Sequence, residues 1–176
     1  MDVFRGLCEE HGEIVSFRPG ECFATRGCAS HRWGFITKGV FGYAVTDGDG
    51  NENMVGFAFP DTLLGDYLAV ADGRPAICDI KALSDAEVMV CGASCFRRLL
   101  ARDGNALHVS LSDDLFEDAY TRFIDFYTLS RAERYHKILT RCPSLLQHIS
   151  LKQLASYLRI TPTHLSRIRR GDRNAR

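Results

Sequence analysis

Residues 150–170 read SLKQLASYLRITPTHLSRIRR, and this stretch decides how the chain is organised. Leu151, Leu154, Ala155 and Leu158 recur at the three-and-four spacing of one helical face. Ser150 stands just before them, with a side chain suited to cap the free N–H groups of a helix start. The small Ala155 leaves room for a second helix to approach closely. Arg159-Ile160 make a turn, with Ile160 pointing inward. Thr161 is then a second N-cap, and Pro162 takes the first helical position, where its missing N–H costs nothing. Leu165 and Ile168 supply the inner face of that second helix. The pattern is a helix-turn-helix.

The outward side of the second helix carries Thr163, His164, Ser166, Arg167 and, one turn on, Arg169 and Arg170. Charge explains what such a face is for. The chain is neutral overall, yet residues 1–128 hold 11 Lys and Arg against 20 Asp and Glu, a net of −9. Residues 129–176 hold 11 Lys and Arg against Glu133 and Asp172 alone, a net of +9. A solvated helical surface mixes its signs; this one does not, which points to a polyanionic partner. A helix laid in the major groove presents its N-terminal residues to base edges. Arg167 suits a bidentate contact to guanine, and Thr163 a thymine methyl or a base acceptor. Lys152, Arg169, Arg170, Arg173 and Arg176 are placed for phosphates. The candidate DNA-binding residues are therefore Thr161, Pro162, Thr163, His164, Ser166, Arg167, Arg169, Arg170 and Lys152.

Working upstream, residues 131–141 and 144–148 read as further short helices, broken at Cys142-Pro143. Before them, Leu107, Leu111, Leu115, Ala119, Phe123 and Phe126 predict one long amphipathic helix over 105–129. Val109, Phe116, Tyr120, Ile124 and Tyr127 widen its apolar stripe until it needs cover on two sides. Cover by the preceding domain and by a second copy makes this a dimerisation helix; a single buried helix in a monomer is the alternative. Residues 13–91 differ in period. Short β-branched and aromatic runs alternate there with turn signals such as Pro19-Gly20 and Asp47-Gly48-Asp49-Gly50. Many short strands without long helices between them predict an antiparallel β-roll. The expected fold is α+β: a cupin-like jelly roll in 1–104, a dimerisation helix over 105–128, and a small all-α helix-turn-helix domain over 129–176.

The 45% hydrophobic and 25% charged content suits a folded globular chain. No apolar run is long enough to span a membrane as a helix, and the start lacks a signal-peptide pattern, so a cytoplasmic protein without a membrane partner is expected. Seven scattered cysteines fit a reducing compartment better than a disulfide framework. A jelly-roll metalloenzyme needs histidines converging on one metal, whereas His11, His31 and His108 stand apart and no catalytic motif appears. The sequence therefore reads as a non-enzyme without a metal site.

Glu133-Arg134-Tyr135, Pro143-Ser144-Leu145-Leu146, Leu154-Ala155-Ser156-Tyr157-Leu158 and Ile160-Thr161-Pro162 with Leu165-Ser166-Arg167-Ile168-Arg169 resemble the C-terminal part of Crp/Fnr transcription regulators. The compact Bacteroidetes-type form is the most similar. Weaker likeness through Arg18-Pro19-Gly20-Glu21, Gly65 and Arg74-Pro75 carries the resemblance over nearly the whole chain. It implies a homodimer on a palindromic double-stranded operator, with effector binding in the roll setting two recognition helices across a roughly 34 Å repeat. It also admits RNA polymerase as a partner, and it puts Thr163 and Arg167 at base-reading positions. Two departures stand out. Arg159 replaces the usual turn glycine, at about 1 kcal/mol if the left-handed conformation is kept. Few residues follow Arg170, too few for the β-hairpin wing of longer members, which predicts weaker binding or more reliance on dimerisation.

In members of the family that bind cyclic nucleotides, a Gly-Glu pair and a later Arg-[Ser/Thr]-Ala hold the ribose and phosphate. The matching ligand-binding candidates here are Gly65, Asp66, Tyr67, Arg74, Pro75 and Ala76. Arg74 offers a cation, but Asp66 is a methylene shorter than Glu and Pro75 deletes both a hydroxyl and an N–H. With two features altered, a cyclic nucleotide ranks below an unidentified effector or none, and no cofactor is assigned. An iron–sulfur cluster would want a tight cysteine run, which Cys8, Cys22 and Cys28 do not form. Cys22 and Cys91 read instead as buried strand residues. The expected function is a sequence-specific, effector-controlled DNA-binding regulator. The alternatives are an effector-orphan regulator and an interaction adaptor that keeps the fold without specific DNA binding.

Overall fold

Strands with one apolar face must bury it against another sheet, and the first part of the chain does this with itself. The computed structural model describes residues 2–102 and 106–174. Two units divide the chain, Met1–Gly104 and Asn105–Arg176. The first begins with α1 (Asp2–His11), followed by β1 (Glu13–Phe17), β2 (Cys22–Ala24), β3 (Arg32–Lys38), β4 (Phe41–Thr46), β5 (Glu52–Ala58) and β6 (Leu63–Leu64). Helix α2 (Tyr67–Asp72), strands β7 (Asp79–Ala82) and β8 (Ala86–Gly92), and helix α3 (Ala93–Arg102) complete it. The strands form two antiparallel sheets, ordered β1-β8-β3-β6 and β2-β7-β4-β5. This is the expected antiparallel roll.

Its interior is aromatic. Phe17, Phe23 and Phe41 pack ring against ring at 5.5–6.3 Å, surrounded by Ile36, Leu64, Ile80 and Val88. Each such side chain contributes about 1.5–3 kcal/mol on burial. The β4–β5 hairpin turns where the Asp-Gly repeat predicts. Asp47 accepts the N–H groups of Asp49 and Asn51 and the Asn53 amide, and Gly50 takes the left-handed conformation at φ 81°. These bonds, Asn51's first, hold the Asp47 carboxyl below the usual range.

Two features depart from the sequence reading. Helix α1 is not among the expected elements, although Phe4, Leu7, Cys8 and His11 carry a helical stripe; Phe4 is buried against Trp33 and Phe96 at 5.9 and 5.7 Å. Cys22, expected to be buried, is exposed: it opens β2 beside a register shift, and the neighbouring Phe23 takes the inward position. Cys91 is buried as expected.

The second unit contains α4 (Ala106–Thr128), α5 (Arg131–Arg141), α6 (Leu145–His148), α7 (Leu151–Tyr157) and α8 (Pro162–Asn174). Along α4 only Leu111 is buried among the described residues. Phe116, Tyr120, Phe123 and Tyr127 form a continuous ladder of rings, centroids 5.0–6.4 Å apart, and are 53–78% exposed.

Candidate functional site

The helix-turn-helix is built by local chemistry. Helix α7 starts with a capping box in which Ser150 Oγ accepts the Gln153 N–H at 3.2 Å and Gln153 Oε1 accepts the Ser150 N–H at 2.8 Å. It ends in a Schellman turn. The Ile160 N–H donates to Ala155 O at 3.0 Å and the Arg159 N–H to Ser156 O at 3.0 Å, with Arg159 left-handed at φ 56°. Arg159 thus adopts the conformation that usually selects glycine. Immediately afterwards Thr161 Oγ1 accepts the His164 N–H at 3.2 Å, capping α8, and Pro162 begins that helix. Leu145, Leu154, Ala155, Leu158 and Leu165 are almost wholly buried together with Tyr135 and Ile138 of α5, so α5 to α8 share one small core.

That core fixes which side of α8 faces out. Thr163, Arg167 and Arg170 are exposed at i, i+4 and i+7, one face of the helix, with Thr161 and Pro162 exposed at its start. His164, Ser166 and Arg169 flank them half-buried, and Lys152 is exposed on α7. The side chains of Arg173 and Arg176 lie outside the described residues. No acidic residue falls between Pro162 and Gly171. Helix α5 has its own capping box, from Ser130 and Glu133; those bonds to Ser130 hold the Glu133 carboxyl below the usual range.

In the roll, the six cassette positions surround α2. Gly65 follows β6 and its carbonyl accepts the Tyr43 hydroxyl at 3.4 Å. Asp66 is 5% exposed and caps α2: Oδ1 accepts the Ala69 N–H at 3.2 Å and Oδ2 the Ile77 N–H at 2.8 Å. Tyr67 packs edge-on to Phe96 at 6.3 Å. Arg74 faces solvent and pairs with Asp72 at 3.0 Å. Pro75 forms a β-bridge with Ala29. The Ala76 N–H donates to Cys28 O at 2.9 Å, and Ala76 O accepts the Gly27 N–H at 2.8 Å. The Ala76 and Ile77 N–H groups are therefore engaged inside the fold, and Pro75 has none to offer.

Folding also brings Cys8 of α1 beside Cys91 of β8, a neighbourhood no spacing rule reveals. Burial first, and then Cys91, pushes the Cys8 thiol far above its ordinary range. Such thiols stay protonated and inert. Among the described residues no cluster of three or more His, Cys, Asp or Glu could hold a metal, and no helix is long and apolar enough to cross a membrane.

Comparison with known proteins bears on the same two regions. Residues 14–103 match the cyclic nucleotide-binding domain family. The fold is that of FixK2 from Bradyrhizobium japonicum, with a TM-score of 0.81, 14% identity, and 93% of this chain and 85% of that one covered. The c-di-GMP-responsive global regulator CLP of Xanthomonas campestris gives 0.69 at 12% identity, covering 99% and 93%. A CRP-family transcriptional regulator from Thermus thermophilus gives 0.69 at 16%, covering 92% and 85%. Comparison with curated proteins by sequence gives no match. The chain therefore belongs to the cyclic nucleotide-binding domain family and has the fold of the Crp/Fnr transcription regulators.

Proposed function

We propose that the protein is a cytoplasmic, homodimeric transcription regulator that reads double-stranded DNA with α8. Thr163 and Arg167 contact bases, His164 and Ser166 flank them, Thr161 and Pro162 fix the helix entry, and Lys152, Arg169 and Arg170 contact phosphates. The observation that carries this reading is the exposed Thr163–Arg167–Arg170 face, free of acidic residues, on a helix whose start is capped. The ring ladder of α4 is the surface for the second copy, and RNA polymerase is a further partner. Regulation by the roll follows the resemblance, with an unidentified effector; the engaged Asp66 carboxylate and Ala76 N–H and the missing Pro75 N–H weigh against a cyclic nucleotide in that role.

Selection from a randomised duplex pool tests the reading, run with the natural sequence and Arg167→Ala at two salt concentrations. An enriched palindrome that loses preference at one position per half-site in the variant is expected. Binding that is wholly salt-driven and indifferent to Arg167 would favour the adaptor alternative.

A further inference from the structure

We propose that Arg134 is the positioning residue that holds α8 at its reading angle relative to α4, an inference that rests on the base-reading role of α8. Arg134 belongs to α5, yet its guanidinium bonds elsewhere. Nη1 donates to Phe126 O at 3.2 Å and Leu129 O at 3.1 Å, the carbonyls at and just beyond the end of α4. Nη2 donates to Leu158 O at 3.3 Å, the C-cap of α7. The guanidinium carbon lies 4.9 Å from the centre of the Phe126 ring. Two helix C-termini, each the negative end of its dipole, thus share one cation that never deprotonates.

The Leu158 contact matters most. That carbonyl lies in the peptide plane joining Leu158 to Arg159, about whose N–Cα bond the left-handed turn is made. A bond to this plane fixes the turn, and the turn aims α8. Beside the backbone bonds of the turn and the shared core, the other side-chain ties among the described residues do not reach the turn. Lys137–Asp125 at 2.6 Å and Arg141–Asp118 at 3.0 Å join α5 to α4, but their cations are more than half exposed and neither pair reaches α7. A cleft of about 400 Å³, lined by Phe126, Arg134, Ile138, Tyr157 and Leu158 among others, opens beside the guanidinium, so packing does not hold the turn from that side. Arg134 Nε is buried with no acceptor among the described residues. Burying that donor unpaired is a cost that the three carbonyl bonds must offset. Only a planar fork spans the carbonyls; lysine keeps the charge but loses the span.

The test compares natural protein with Arg134→Lys and Arg134→Gln in two measurements. The first is the ratio of affinity for the selected operator to affinity for random duplex. Arg134→Lys is expected to lower that ratio about tenfold while random-duplex affinity, its salt slope and helical content stay within about twofold. An unchanged ratio overturns the proposal, as does equal loss of both affinities with a collapsed melting transition. The second needs no DNA: amide exchange at Arg159 and Ile160 is expected to quicken about tenfold in Arg134→Gln, with α1 and the roll unchanged. If the natural protein shows no operator preference, base reading by α8 is what fails. The exchange result then decides Arg134 alone, unchanged rates refuting it.

Discussion

Asp66 Oδ2 accepts the N–H of Ile77, eleven residues further on, at 2.8 Å, while Oδ1 of the same buried carboxylate caps α2 through the Ala69 N–H. One side chain therefore caps α2 and ties its start to the segment beyond Ala76. Asp66→Ala removes a cap and leaves the part-buried Ile77 N–H without its acceptor, with an expected loss of about 1–3 kcal/mol in urea unfolding. Cyclic AMP or cyclic GMP at millimolar concentration is expected to leave the melting temperature of the natural protein unchanged. A ligand present at a hundred times its dissociation constant would add about 2.7 kcal/mol, which a melting curve would not miss.

Phosphate and base contacts separate by their salt response. Lys152→Ala and Arg170→Ala are each expected to weaken operator and random duplex alike, and to reduce the slope of log affinity against log salt by about 0.9. Arg167→Ala is expected to cost about 1–3 kcal/mol on the operator and much less on random duplex. Fluorescence anisotropy titrations at several salt concentrations distinguish the two patterns.

At the turn, Arg159 holds a left-handed conformation at φ 56° that a Cβ disfavours. Arg159→Gly is expected to stabilise the protein by about 1 kcal/mol in denaturant unfolding, because the Schellman bonds it must satisfy are made by the backbone. Arg159→Val is expected to destabilise it by at least as much.

On α4, the exposed rings predict self-association. Phe123→Glu with Tyr127→Glu is expected to shift sedimentation from dimer to monomer while the helical signal is retained. A natural protein that sediments as a monomer at micromolar concentration would refute the dimer.

Thiol chemistry supplies the last prediction. Burial, with Asp66 and Asp79 adding to it, pushes the Cys78 thiol from its ordinary 9.0 to about 12; Cys8 is raised too, by burial and then by Cys91. Between about pH 9 and 12 the folded chain keeps protons that the unfolded chain has lost, so stability falls as pH rises through that window. The urea midpoint is expected to decline there, less steeply in Cys78→Ala. Near neutral pH, a thiol reagent is expected to label the exposed Cys22 and Cys28 before Cys8, Cys78 and Cys91.

What the sequence discloses follows from where the determinants lie. The helix-turn-helix is readable in detail because its caps, turn and apolar spacing are all local: Ser150 with Gln153, Arg159, Thr161 with His164. The roll is readable as a class from its short alternating runs, but strand order and the two-sheet split arise from pairings between distant segments. Helix α1 escapes such a reading although Phe4, Leu7 and Cys8 mark it, because its role appears only once Trp33 and Phe96 are seen to need a cover. Exposure of Cys22 depends on a register shift that no period predicts. Arg134 is the most consequential residue hidden in this way, legible only as a family-like letter; its three carbonyl partners come from parts of the chain up to 24 residues away.

The bend before α8 is made by main-chain bonds and the Arg134 guanidinium, none of them on the helix's outer face, so the letters on that face are free to change without re-aiming it. If α8 reads DNA as proposed, gene duplication followed by a few substitutions at positions 163 and 167 would give sister proteins with new targets and an unaltered frame. On the proposed reading, the vocabulary of DNA recognition and the joint that delivers it are separately heritable.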